Sequence, residues 1–408
     1  MTVTLRNFKE IPMLSHMTKL KSLSLAAFLS ATALQSAWAW EAEEVAARYK
    51  TLLGDQGLTA EWSGVRQDGD SIVLENASLG LLDVETKVEL GDFLLEDVSE
   101  TDDIYEIGRI AIDSFEQSED GLDISLSGLS IEGLILPKEG DNPPYGGLMQ
   151  YRQFALDSAR VGKDETPLFT LESLRANTTL GDGAETMTFV GAVENFWLDV
   201  ATLADNSNAR SKLDEYGYEE VSGSVDMAGS WALTDGRMKI TRYDVKVENA
   251  GTLAISADIS GYTPEFIRTL QDMQKQMESG TEQQKQAQGL AMLGLMQQLS
   301  LHGASIRFSD ASLTGKVLAY AADQQGVKPE DVANQAKAIV PLMAGQYLGP
   351  DLTQSLAKAI TNYLDDPRNI TISVAPEEGI PFAVLMGTAM GSPEALARQV
   401  GLSITANE

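Results

Sequence analysis

The sequence predicts an α+β protein: a large curved antiparallel β-sheet built of degenerate hairpins, with helices concentrated in the C-terminal third. Three observations carry this. From Leu58 to about Gly261 apolar and polar residues alternate, the period of strands buried on one face. That alternation is broken by small offsets, often near glycine, which mark bulges or bends in long strands. After Gly261 the period lengthens to that of amphipathic helices, and short strands return between them.

The first segment to account for is Met17–Ala39. Met-Thr-Lys-Leu-Lys precedes an apolar run from Leu23 to Leu34, and Ala37-Trp38-Ala39 is a small-x-small cleavage pattern. This is the form of a secretory signal, with a core too short to span a bilayer as a stop-transfer helix. Residues 1–39 are therefore expected to be a signal peptide, with a mature start near Trp40 and the periplasm as destination. Met17 carries its own basic n-region (Lys19, Lys21), so the true start is expected there; a long n-region from Met1 is the alternative. Retention of Leu23–Leu34 as an anchor is a further alternative.

Two regions follow, 40–261 and 262–408. Glu41–Leu53 reads as a short helix, with Val45, Tyr49, Leu52 and Leu53 on one face and Gly54 as its stop. In the strand region Leu122, Ile124 and Leu126 alternate, and the pattern then resumes at Leu129 and Ile131. Met187, Phe189 and Val193 are likewise followed by an offset to Phe196. Asp235-Gly236, between Ser230–Leu233 and Arg237–Tyr243, is the clearest hairpin turn. Ala204–Tyr216 reads as a short helix.

Thr263-Pro264-Glu265 opens a helix carrying Phe266, Leu270, Met273 and Met277, and a second runs over Glu282–Gln298. A strand pair is expected at Leu299–Leu313. Helices follow over Lys316–Gln325, Pro329–Leu348 (kinked by Pro341) and Leu352–Leu364, the last capped by Asp351. Asn369–Ala375 is a strand, Pro381–Ala389 and Pro393–Val400 are short helices, and Leu402–Thr405 is a final strand.

Composition narrows the chemistry. The chain has 30 Lys+Arg against 60 Asp+Glu and no cysteine. Residues 1–39 hold Arg6, Lys9, Lys19, Lys21 and Glu10, so 26 basic and 59 acidic side chains remain beyond them, a formal charge of −33. Such a surface repels nucleic acid. Thiol chemistry and a Cys/His zinc site cannot be built from one histidine beyond the signal. That histidine, His302, lies in a strand-like segment, and no G-x-S-x-G turn accompanies it. The acid pairs Asp102-Asp103, Glu119-Asp120 and Asp365-Asp366 read as turns and caps, and none has calcium-loop spacing. No cofactor is implied. Phe266, Leu270, Met273, Met277, Leu293 and Met296 form the one candidate apolar binding surface, suited to lipid or a partner helix, and the alternative is that these faces pack on the sheet to close the core.

The degenerate hairpins resemble the repeats of AsmA-type envelope proteins. The stretch from Ala304-Ser-Ile-Arg-Phe-Ser-Asp310 through Asp366-Pro367 to Pro381-Phe382 is similar to uncharacterised periplasmic proteins of alphaproteobacteria. AsmA-type proteins keep an N-terminal anchor, whereas the cleavage pattern here implies none after processing. The reading is a non-enzymatic exported envelope protein that holds an apolar ligand such as lipid on a curved sheet. A periplasmic structural or interaction module is the alternative, and a carboxylate-dependent glycan hydrolase is a third class.

Overall fold

A strand with one apolar face must find a neighbour for its backbone and a cover for that face. The chain solves the first problem with a single meander. The computed structural model describes residues 40–408 except 82–86, 120, 139–148, 165, 182–184, 205–206 and 280–290. The expected signal segment lies outside these residues. Sixteen strands join in one open antiparallel sheet: β1 (Leu58–Glu61), β2 (Gly64–Asp68), β3 (Ser71–Leu81), β4 (Lys87–Glu100), β5 (Ile104–Glu119), β6 (Leu122–Pro137), β7 (Gln153–Lys163), β8 (Thr166–Leu180), β9 (Thr186–Asp199), β10 (Glu220–Ala232), β11 (Arg237–Val247), β12 (Gly251–Ser260), β13 (Ser300–Asp310), β14 (Asn369–Val374), β15 (Ile380–Pro381) and β16 (Ser403–Ala406). From β3 to β14 each strand pairs with the next in sequence. β1 and β2 share the free edge of β3, β15 pairs β13, and β16 closes the far edge on β14.

The helices are α1 (Ala42–Asp55), α2 (Val200–Leu203), α3 (Ser207–Tyr216), α4 (Pro264–Ser279), α5 (described over 291–296), α6 (Leu313–Gln325), α7 (Pro329–Ala344), α8 (Pro350–Asp365), α9 (Phe382–Gly391) and α10 (Pro393–Gln399). The α+β class with a curved antiparallel sheet is therefore the observed one. The composition boundary near residue 261 falls between β12 and α4, and the sheet passes it without a break, because β13 pairs β12 along ten positions. Two local expectations are corrected. Leu299–Leu313 holds one strand rather than a pair, since it contains no turn and its backbone is claimed by β12 on one side and β14 and β15 on the other. Asp351 does not cap α8: Gly349 is the N-cap and Pro350 opens the helix, leaving Asp351 inside its first turn.

The offsets in the alternation have a structural cause. On β5 to β9 the residues Phe115, Leu126, Ala159, Leu171 and Phe196 pair in one row. Three residues away on each strand, Ile112 faces Leu129, and Leu156, Leu174 and Val193 form a second row. Between the rows Gly128 and Ser173 have φ of 60° and 54°. The irregular residues lie side by side, so the sheet carries a transverse crease across five strands. Arg175 pins it: Nη1 donates to the carbonyls of Leu156 (3.1 Å) and Leu174 (2.9 Å), and Nη2 to Asp157 Oδ1.

The second problem, covering the apolar face, is solved unevenly. α1 touches β1, β2, β3 and β6, so the sheet curls around this one helix. Val45, Leu52 and Leu53 of α1 join Ile72, Leu95, Ile107, Leu134 and Leu136 in the main core. At about 25 cal/mol per Å² of apolar surface removed from water, this cluster, the most populous of those among the described residues, is a large source of stability. α4 covers the ends of β9, β10 and β11, where Ile267 meets Met187 and Trp231. The Trp231 indole N–H is satisfied by the Tyr262 carbonyl at 2.7 Å. α8 covers Phe308, Ile370 and Ala406 through Ala359 and Tyr363.

Candidate functional site: the uncovered apolar face

Between these three covers one face of the sheet stays apolar and open. A single row, followed partner by partner, runs Leu156–Leu174–Val193–Val225–Val245–Leu253–Phe308–Ile370–Ala406 across nine strands. Its last three members lie under α8; those from Leu156 to Leu253 belong to no buried cluster and remain part-exposed. A parallel row, Ile255–Ile306–Ile372–Ile404, leaves Ile306 51% and Ile372 47% exposed. Directly opposed residues in an antiparallel pair share a face, so these rows form one continuous surface.

Glycine keeps part of this floor low. The Phe196 ring lies over Gly223 on the neighbouring strand, where an added Cβ would come within 2.7 Å of Phe196 Cζ. Phe189 covers Gly229 in the same way, at 2.4 Å. The opposite face of the same strands is polar, with Ser127 and Ser158 bonded at 2.8 Å, and Glu172 opposite Asn195.

The residues singled out from sequence fall elsewhere. Phe266 is 1% exposed and lies at the centre of a small core with Leu295 and Leu299, against which Leu270, Met273 and Met296 pack. As a buried anchor Phe266 has no surface to offer a ligand. Leu293 is 49% exposed, and the side chain of Met277 lies outside the described residues. The amphipathic stripe was the legible signal; the open sheet face was not, because sequence alternation cannot say which strands are left without a cover.

The polar candidates are engaged in structural contacts. His302 sits on a bulge of β13, where Asp258 opposes Gly303 and Ile259 opposes Leu301, and its Nε2 lies 2.8 Å from Ser260 Oγ. The nearby Asp258 accepts both Nε (2.8 Å) and Nη2 (2.9 Å) of Arg237. That guanidinium holds the Asp258 carboxyl below its ordinary range. Asp365 accepts from Lys337 and Asp366 pairs with Arg368 at 3.0 Å. Asp102 and Asp103 are exposed in the β4–β5 turn, and the side chains of Glu119 and Asp120 lie outside the described residues. Among the described residues no three His, Asp or Glu side chains converge in a manner that could hold a metal ion. No helix among them is long and apolar enough to cross a membrane.

A family model described as "Uncharacterized protein" matches residues 244–407, fewer than half of the 408. It covers the last strands of the sheet and the C-terminal helices, and leaves the crease and the α1 core outside. No curated protein matches the chain.

Proposed function

We propose that this is a non-enzymatic envelope protein, exported on the Met17–Ala39 signal to the periplasm, that holds an acyl chain or similar apolar ligand along the open face of its sheet. One observation carries the reading: the apolar row from Leu156 to Leu253 crosses six strands and stays part-exposed among the described residues, outside their buried clusters. Soluble domains rarely leave a contiguous apolar surface of that extent without a use for it. Each methylene an acyl chain buries there contributes about 0.8 kcal/mol, so ten of them offset the cost of immobilising the chain only if the floor is broad and preformed. The pairing of the rows and the flat-lying Phe196 and Phe189 rings supply such a floor.

The test is competition with a fluorescent fatty acid, combined with mass spectrometry of lipid extracted from purified protein. Leu174→Lys with Val193→Lys is expected to abolish probe uptake while the fold stays intact. Uptake unchanged in that variant removes the reading.

A second reading, an interaction module, rests on a different surface. Leu342 (74%) and Met343 (62%) in the last turn of α7, Tyr347 (60%) just beyond it and Met390 (91%) at the end of α9 are exposed. Residues 338–350 and 379–393 contain no charged side chain. The segments that follow α7 and α9 approach at one corner, where an added Cβ on Gly349, the N-cap of α8, would lie 2.9 Å from Oε1 of Glu394 in the first turn of α10. Such a corner suits contact with a partner or a bilayer surface. Met390→Lys with Leu342→Lys, read by sedimentation with vesicles and by pull-down, separates this reading from the first, because probe uptake on the sheet is expected to survive it.

A further inference from the structure

We propose that the fork between β4 and β5 is an insertion slot for an extended basic segment of a partner protein, held by strand pairing on both sides. The ladder between these strands joins Leu95 to Ile110 and continues only toward their turn, as far as Glu100 and Tyr105. Below Leu95, β4 pairs β3 alone; beyond Ile110, β5 pairs β6 alone, out to Glu119. Among the described residues no backbone pair crosses the gap. Among the described residues, alternate N–H and C=O groups over 88–94 and 111–116 therefore face it without a strand partner. This is an interior pair of strand edges, and it is long. The outer edges, by contrast, are blunted in the usual way by strands of four or five residues, β1, β2 and β16.

The side chains explain why the ladder stops. Continuing the register of Leu95↔Ile110 would place Asp92 opposite Asp113 and Glu89 opposite Glu116. Like charges directly opposed across strands are destabilising. At the apex the sign is reversed, because Arg109 Nη1 bonds Glu96 Oε2 at 3.2 Å and latches the rung next to the last paired one. The gap is a real cleft of about 580 Å³, walled by Leu90, Phe93, Ile112 and Phe115 as well as by these acids. Leu90 and Ile112 touch the main core, whereas Glu89, Asp92, Asp113 and Glu116 are exposed.

The occupant follows from that lining. An acyl chain would fill the apolar side but leave the backbone groups with water alone. An added strand satisfies them from both sides. Its apolar residues would meet Phe93, Ile112 and Phe115, and its alternate Lys or Arg residues would meet the exposed acids Glu89, Asp92, Asp113 and Glu116, of which Asp92 also accepts from the Asn76 backbone N–H at 3.2 Å. The slot lies apart from the Leu156–Leu253 row, so either site can fail without the other.

The test uses the full chain and a blocked heptapeptide probe alternating Lys and Val, followed by hydrogen exchange. Amides of residues 88–94 and 111–116 are expected to exchange at least about tenfold more slowly with probe bound. A probe N-methylated at its valines loses donors but keeps its charge, and should bind at least about tenfold more weakly. Asp92→Asn with Asp113→Asn should also weaken binding. Equal binding of the N-methylated probe, protection at other segments, no protection at millimolar probe, or protection by phosphatidylethanolamine vesicles in place of the peptide would each overturn the proposal.

Discussion

One row of the sheet passes from the best-covered part of the molecule to the least. Ile72, Leu95, Ile110, Ile131, Phe154, Ala176, Gly191, Met227 and Tyr243 pair in succession across β3 to β11. Ile72 and Leu95 are 0% exposed and Ile110 1%; by Tyr243 exposure has risen to 39%. The face and the alternation are the same throughout, and only the helix above it changes. Alternation therefore specifies which face is apolar, whereas α1 decides which half of that face becomes a core.

The largest expected effect sets the two halves directly against each other. Leu95→Ala leaves a cavity under α1 and should cost roughly 3 kcal/mol in urea-induced unfolding. Leu174→Ala, in the open half, removes a side chain that is already part-solvated and should cost under about 1 kcal/mol. Equal losses at the two positions would mean that the open row is covered in solution, and the proposal of a ligand along the open face would go with it.

The same contrast explains what was legible beforehand. α1 could be read from Val45, Tyr49, Leu52 and Leu53 because a helix carries its whole face within a dozen residues. The Leu126-to-Leu129 and Val193-to-Phe196 offsets announced bends, yet one strand cannot reveal that its bend aligns with those of four neighbours. The crease is a property of register, and register is long-range. Phe266 and its methionines were legible as an amphipathic face that could pack or bind, and packing is the outcome, because Leu295 and Leu299 arrive from the next helix to bury it. The open face left no local signal, because an uncovered strand and a covered one share the same alternation.

Next in size is the crease. Arg175→Ala removes the N–H donors to the Leu156 and Leu174 carbonyls beside the bulge, together with the contact to Asp157. The expected loss is about 1–2 kcal/mol, reduced from the buried-charge range because Arg175 is part-exposed. Arg175→Lys should recover little of it, since one ammonium cannot reproduce the guanidinium fork. Thermal melts of the two variants check this, and full recovery by lysine would show that charge alone matters at the crease.

The smallest effect concerns how the open half is held on its polar side. Asp258 and Arg237 join β12 to β11, and the hydrogen-bonded guanidinium lowers the Asp258 pKa. A carboxyl with a depressed folded pKa contributes stability in full above its unfolded pKa, near 4, and loses it as pH falls through the folded value. Asp258→Asn should therefore be less stable than the parent at pH 7 by under about 1 kcal/mol, because both partners are part-exposed. The gap should close as pH drops below about 4 and vanish once the parent carboxyl is protonated in both states. Urea titrations of the pair from pH 7 to 3 read it out. A gap that persists at the acid end would mean that Asp258 holds the strands through packing, and the open half would then depend less on charge than its exposed apolar row suggests.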